Sequence, residues 1–324
     1  MKAVVLEAFG GPEVLQYLEI PIPEPNAGEV LIKTWKTSVN FADIKNRNGK
    51  KSKGNFPLIL GIDLVGIVEK VGPDVKNIKK GQRVIAFPHS GSYAEFAIAN
   101  EQLVFPIPDN MDTDIAAASP IVSFLSYMLV QNVGRISKGE TVLVHSAAGG
   151  VGTTAIQIAK LLGASKVIGT VGSEARKKTA FEAGADEVFT YEDFTSNVLD
   201  VTNGNGVDLI LDSVSGKVTE KSMDCLAEYG RLVHFGNSSG EVGTFKTNEI
   251  HSSCRSVLGF SLGNTRKKRP YLLNEVADQV IRFLVSGELH IIIGDEFPLH
   301  KVAEAHRLIE NRQHSGKILL NVRG

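Results

Sequence analysis

The segment TVLVHSAAGGVGTTAIQIAK, residues 141–160, constrains the fold of this chain more than any other stretch. Its first five residues, four of them apolar or β-branched, read as a strand. Gly149, Gly150 and Gly152 make a tight turn, and from about Val151 the apolar residues recur at helical spacing. The alternation then continues. The helix VGTTAIQIAKLL closes at Gly163, the strand SKVIGTVG follows, and the helix SEARKKTAFEA closes at Gly184, before DEVFTY, VDLILDSV and GRLVHFG. The Gly-Ala pair after each of the first two helices suits a left-handed C-cap leading into the next strand. Strands that alternate with helices imply βαβ units and a parallel sheet, because parallel neighbours require a crossover.

The flanks have another texture. Residues 1–110 carry short alternating segments (MKAVVLEAF, EVLIKTWKTSVNF, DLVGIVEKVG, QRVIAF, AEFAIA) between Pro- and Gly-rich turns, which predicts a sandwich or partly closed barrel. MDTDIAAASPIVSFLSYMLVQNVG reads as helices, the first with Asp112 or Thr113 as N-cap. Beyond about residue 257 come an amphipathic helix at 271–286, the strand-like HIIIGDEFPL, the helix KVAEAHRLIENRQ and a final strand KILLNV. The 324 residues suggest about two domains.

A glycine turn between a strand and a helix is a phosphate site in outline. Glycines let the backbone approach a pyrophosphate without Cβ clashes, and the helix N-terminus aims its free N–H groups at the anion. The leading glycine of the usual G-x-G-x-x-G is an alanine here, and a tight turn with no ligand is the bland alternative. In NAD-preferring sites an acidic residue about 20 positions later takes the ribose 2′-hydroxyl. Here the second strand ends in Gly169-Thr170-Val171-Gly172 without an acid, and Ser173, Arg176 and Lys177 follow. A hydroxyl beside cations suits a 2′-phosphate, so the expected cofactor is NADPH. Glu174 is the one residue there that would repel it.

Composition excludes several classes. The net charge is −1, from 35 Lys+Arg against 36 Asp+Glu, which gives no global argument for nucleic acid or an anionic membrane. The basic runs at 50–53 and 266–269 read as solvated loops, with attraction of an anionic ligand as the sharper alternative. Two cysteines, Cys225 and Cys254, exclude a disulfide framework and fit a reducing compartment. The N-terminus lacks the pattern of a signal peptide, and no apolar run is expected to span a bilayer, so a cytoplasmic location is expected. No H-E-x-x-H or Walker A motif occurs. Ser123 and Ser126 lie in an apolar helix and read as packing or cofactor-facing residues.

HSAAGGVG (145–152), GTVGS (169–173), DSV (212–214) and FGNSSG (235–240), with GGPEVL (10–15), VNFAD (39–43), GIDLVGIVEKVG (61–72) and GQRV (81–84), resemble the zinc-independent quinone oxidoreductases of the medium-chain dehydrogenase/reductase superfamily along essentially the whole chain. The resemblance implies an α/β protein with a GroES-like β-rich catalytic domain from 1–119 and 257–324. A Rossmann domain with a doubly wound parallel sheet, 120–256, binds NADP. It places the pyrophosphate at Ala147, Ala148, Gly149, Gly150, Val151 and Gly152, and the 2′-phosphate at Gly172, Ser173, Arg176 and Tyr191, with Arg176 where a lysine is usual. Phe235, Gly236 and Asn237 would contact the nicotinamide half, Phe260 and Ser261 fall where the chain returns to the site, and Arg312 falls near a further cofactor contact. Asn40 and Asp43 match the N-x-x-D of the active-site loop. Asn40 is expected to bond the nicotinamide ribose or the substrate oxygen, and Asp43 to anchor the loop or a water, or simply to cap it.

There are departures. Lys45 stands in the place of the first of the tyrosines often found after N-x-x-D, and basic residues follow, so a less aromatic pocket is expected. The threonine often placed over the nicotinamide is Leu125 or Ser126. Zinc alcohol dehydrogenases carry Gly-His-Glu where this chain has Gly61-Ile62-Asp63, and their structural site needs four cysteines, so no metal is expected; His89 and His145 are lone histidines. The reading is an NADPH-dependent oxidoreductase that transfers hydride, without a metal, to a quinone or an activated α,β-unsaturated carbonyl, as a homodimer. Its rivals are an NADPH-binding structural or nucleic-acid-binding protein with little turnover, and a zinc alcohol dehydrogenase.

Overall fold

The computed structural model describes residues 1–51, 54–311 and 314–323. The N-terminal strands are β1 (Lys2–Leu6), β2 (Gln16–Glu19), β3 (Glu29–Val39), β4 (Leu58–Ile59), β5 (Leu64–Val71), β6 (Arg83–Ala86), β7 (Phe96–Asn100) and β8 (Val104–Pro106), with helix α1 (Phe41–Arg47) after β3. Helix α2 (Thr113–Tyr127) leads to β9 (Thr141–Val144), α3 (Gly150–Leu161), β10 (Lys166–Val171), α4 (Lys177–Glu182), β11 (Glu187–Thr190), α5 (Phe194–Val201), β12 (Val207–Asp212), α6 (Lys217–Asp224) and β13 (Leu226–His234). The chain ends with α7 (Thr247–Ser252), β14 (Ser256–Gly259), α8 (Leu262–Lys268), α9 (Leu272–Ser286), β15 (Ile293–Pro298), α10 (Val302–Glu310) and β16 (Lys317–Asn321).

Contacts divide the chain into two units. One is 1–121 with 268–285 and 291–324; the other is 122–267 with 286–290. In the first, β15-β16-β3-β5-β6-β8 form a sheet, β7 also pairs with β3, and β2-β1-β4 form a smaller one. The long β3 is the hub. It runs antiparallel to β5, β7 and β16, with Val39 opposite Ile318 and Thr37 opposite Leu64. The C-terminal strand thus closes onto the N-terminal sheet, in agreement with a GroES-like domain built from both chain ends. Val4, Leu6, Ile44, Leu60, Ile318 and Leu320 form one core cluster there.

In the second unit all six strands are parallel, in the order β11-β10-β9-β12-β13-β14. Numbered within the unit this is 3-2-1-4-5-6, the dinucleotide-binding order, as expected of a Rossmann domain. Its central strands are continuous apolar runs because helices cover both faces. Leu143, Ile168, Ile210 and Leu232 pack with Phe194, Val198 and Met223.

Asp112 caps α2, accepting the amides of Asp114 (2.8 Å) and Ile115 (2.9 Å). A π-helical turn, Met128–Val133, continues this helix, and 113–133 together are long and apolar enough to cross a bilayer. The expectation that no apolar run reaches that length is therefore corrected. The segment is a core helix: 72% of its most apolar stretch is buried inside the fold.

Candidate active site

The glycine loop comes first. β9 ends at Val144, and the loop enters α3 with Gly149 as N-cap in extended conformation and no side-chain cap. The N–H groups of the first turn have no intrahelical partner and form a cradle for an anion. Ala147 and Ala148 are buried. Gly152 cannot be replaced without movement: a Cβ there would lie 2.3 Å from the Ser146 carbonyl and 2.8 Å from Ala147 Cα. Ser126 donates to the Val151 carbonyl (3.1 Å), which makes it a brace of the helix start and leaves it no nucleophile's setting. His145, just before the loop, is buried and bonded to Thr170 (2.6 Å) and Ser222 (2.8 Å). Burial pushes it down to about 4, so it is neutral, with both ring nitrogens engaged.

The expected adenosine contacts lie in the same unit. Gly172 and Ser173 are exposed beyond β10, and Arg176 Nη2 reaches the Ala148 carbonyl (3.4 Å). Glu174 is paired with Lys177 (2.8 Å), which ties up the one acid that would repel a phosphate and the second cation with it. Tyr191 accepts the Ser146 N–H (2.8 Å). At the other end of the loop series, Phe235 N–H bonds the Asp212 carbonyl (2.9 Å), Asn237 accepts the Gly240 amide (2.6 Å), and Phe260 N–H bonds the His234 carbonyl (3.0 Å). Ser261 is exposed and accepts the Asn264 amide (3.3 Å). Arg312 lies outside the described residues.

In the first unit, the sheet register brings three distant segments together. β16 sets Lys317 beside Asn40, and β5 sets Asp63 beside Ser38. Asn40 is the N-cap of α1, a helix where a loop was expected, and Asp43 at its third position accepts the Asn40 amide (2.9 Å). The capping reading of Asp43 is thus realised in the geometry. Lys317 Nζ donates to Asn40 Oδ1 (2.7 Å) and to the Val39 carbonyl (3.3 Å). That ammonium fixes which end of the amide is oxygen. Asn40 Nδ2 then donates to Asp63 Oδ1 (3.2 Å) and to Ser38 (3.3 Å). Asp63 also accepts Ser38 Oγ (2.8 Å) and the Ile121 amide (3.4 Å).

A second tier backs this cluster. Tyr93 donates to Asp43 Oδ2 (3.3 Å) and meets His306 Nε2 (3.2 Å); His306 Nδ1 meets Arg47 (3.1 Å), which pairs with Glu310 (2.5 Å). Burial dominates the electrostatics. It pushes Asp43 up to about 7 and raises Asp63, depresses Lys317, and takes His306 down to about 3. Asp43 Oδ1 is buried and has no hydrogen-bond partner.

Asp63 and Lys317 are the residues that sequence reasoning missed. In the sequence Asp63 reads only as part of a missing zinc motif. The signal was a carboxylate just before the apolar start of β5 and a lysine opening the apolar β16, where a buried ion must have a partner. The 44–56 segment is also less simple than expected: Phe9 and Phe56 meet edge to face at 4.9 Å, Lys45 lies 5.3 Å from the Phe41 ring, and Ser52 and Lys53 lie outside the described residues.

Residues 26–109 match the alcohol dehydrogenase GroES-like domain, and 150–278 match the zinc-binding dehydrogenase family. The quinone oxidoreductase of Pseudomonas aeruginosa is 35% identical over 327 residues, covering 98% of this chain and 99% of that protein. The solved structure of Escherichia coli quinone oxidoreductase complexed with NADPH is 33% identical, with a TM-score of 0.92 over 99% of this chain and 100% of that one. An NAD-dependent alcohol dehydrogenase is 32% identical, with a TM-score of 0.89 over the whole of both chains, so the fold is shared by both kinds of enzyme. Curated quinone oxidoreductases from Pseudomonas aeruginosa, rat and Escherichia coli are 34–35% identical along nearly the full length of both proteins: the chain belongs to the quinone oxidoreductase family of the medium-chain dehydrogenase/reductase superfamily.

Proposed function

We propose that the chain is an NADPH-dependent oxidoreductase that reduces a quinone, or an activated α,β-unsaturated carbonyl, without a metal. The observation that carries it is the end of β10. It offers Ser173 and Arg176 where an NAD site has a carboxylate, beside a helix N-terminus with bare amides. The bound cofactor supplies the hydride. The chain's part is to hold it: the first turn of α3 takes the pyrophosphate, Ser173 and Arg176 take the 2′-phosphate, and Phe235, Gly236, Asn237, Phe260 and Ser261 serve the nicotinamide half.

Of the two roles expected for Asn40, the ribose is favoured. A substrate oxygen needs a donor, and both Nδ2 protons point to Asp63 and Ser38. One lone pair of Oδ1 is left beside Lys317, which suits a hydroxyl donor. Asp43 positions Asn40 through its amide and holds a proton near neutral pH.

The donor set supports metal-free chemistry. Ile62 has no ligand atom, Asp63 is committed to Ser38 and Asn40, the Lys317 cation lies beside it, and among the described residues no three His, Cys, Asp or Glu side chains gather. The same reading takes 1–121 with 268–285 and 291–324 as the catalytic domain and 122–267 with 286–290 as the cofactor domain, so β14 falls in the latter rather than beyond a boundary at 256. It makes the protein a cytoplasmic homodimer paired through the outer strand β14, which sedimentation of a β14 variant tests.

The test of function is NADPH oxidation against 1,4-benzoquinone, naphthoquinones and short enones, with metal analysis of the same preparation. Turnover with at least one acceptor and no stoichiometric zinc is expected. Tight NADPH binding with no turnover would leave a binding protein instead, and stoichiometric zinc would overturn the metal-free assignment.

A further inference from the structure

A residue matched to the adenosine end touches the pyrophosphate loop itself. Tyr191 lies just past β11, and β11, β10 and β9 are successive neighbours in the sheet. Its phenol therefore reaches across β10 to the loop that follows β9, where it accepts the Ser146 N–H (2.8 Å). Ser146 has φ +54°, a left-handed conformation uncommon for a residue with a side chain and held only where the surroundings fix it. Its carbonyl accepts the Gly149 amide (2.9 Å), so the conformation at 146 sets how the chain enters α3.

The phenol is itself held. The Tyr191 ring lies 5.9 Å from His145 and meets Phe194 edge-on at 6.3 Å, while Phe194 meets His145 edge-on at 5.2 Å. His145 is locked in turn by Thr170 and Ser222. A rigid three-ring cluster thus supports one hydrogen bond to the loop backbone.

We propose that Tyr191 is a positioning residue that holds the pyrophosphate loop in its binding shape through the Ser146 amide, a contact made without any 2′-phosphate. The inference rests on the reading of this loop as the cofactor's pyrophosphate site. Its consequence differs from that of a phosphate contact. The pyrophosphate is common to NADPH and NADH, so a loop brace acts on both, whereas a 2′-phosphate contact acts on NADPH alone.

Tyr191→Phe keeps the ring cluster and removes the acceptor oxygen. Dissociation constants of NADPH and NADH for the full chain are measured by direct titration, and amide hydrogen exchange of the 145–152 segment is followed in the cofactor-free protein. Both dissociation constants are expected to rise by a similar factor, roughly 3- to 10-fold for one neutral hydrogen bond. The Ser146 amide is expected to exchange faster. A rise confined to NADPH, or unchanged exchange at Ser146, overturns the brace. If the unmodified protein bound neither nucleotide, the cofactor reading would fail, and the exchange result would still decide what Tyr191 does.

Discussion

Lys317 Nζ donates to Asn40 Oδ1 across 2.7 Å, joining residues 277 positions apart. The Lys317 cation lies in a buried site that also holds Asp43 and Asp63, both fully enclosed. It fixes the orientation of the Asn40 amide, and with it the hydrogen-bonding face that α1 presents.

Lys317→Met retains the apolar stem and removes the cation. It leaves the buried Asp63 carboxyl without its counter-charge, so a loss of about 3–5 kcal/mol in unfolding free energy is expected. Adding Asp63→Asn to Lys317→Met should recover part of it. Urea denaturation of the wild type, both single variants and the double variant measures the coupling, and strictly additive losses would show that the two residues act independently.

The pH dependence carries a sign. Asp43 is raised to about 7 from an unfolded value near 3.8, so its contribution is complete at low pH and is lost as pH rises from about 4 to 7. His145 and His306 are depressed to about 4 and 3, so theirs is present above about 6.5 and is lost as pH falls toward those values. The two trends oppose each other. Asp43→Asn should therefore steepen the acid side of the stability profile between pH 4 and 6.5, by up to about 1.4 kcal/mol per pH unit. Denaturant melts across that range give the slope, and parallel profiles would show that Asp43 is not protonated there.

Arg176→Ala should raise KM for NADPH by roughly 10- to 100-fold, the loss of a charge-assisted contact, with a much smaller change for NADH. The residue also touches the Ala148 carbonyl, so a small effect on both nucleotides is expected beneath the selective one. Equal effects on the two would remove Arg176 from the 2′-phosphate site.

Gly152→Ala sets a Cβ against the Ser146 carbonyl and Ala147 Cα at distances that atoms do not adopt. The turn or the helix start must shift, and NADPH affinity should fall by at least about 10-fold, in line with an overpacking cost of about 1–3 kcal/mol. Unchanged affinity in a calorimetric titration would mean that the loop carries no cofactor.

Five of the six parallel strands, β9 to β13, were legible in the sequence, and β14 was not. Local signals sufficed for those five: apolar strands, glycine turns, and Gly163 and Gly184 at positive φ closing two helices. The sequence also showed the missing acid after β10 and the missing histidine at Ile62, since an absent ligand is legible without coordinates. Only the tertiary structure decided what surrounds Asn40. Asp63 immediately precedes β5 and Lys317 opens β16, and their meeting depends on the antiparallel register of β3 with β5 and β16, which no local pattern encodes. The same holds for Tyr191. Its position after β11 was readable, but its contact with Ser146 depends on strand order in the sheet. Local spacing specifies elements, because backbone periodicity is short-ranged; charge partners are specified by packing, because an ion brought into the interior is stable only where the fold delivers its counter-ion.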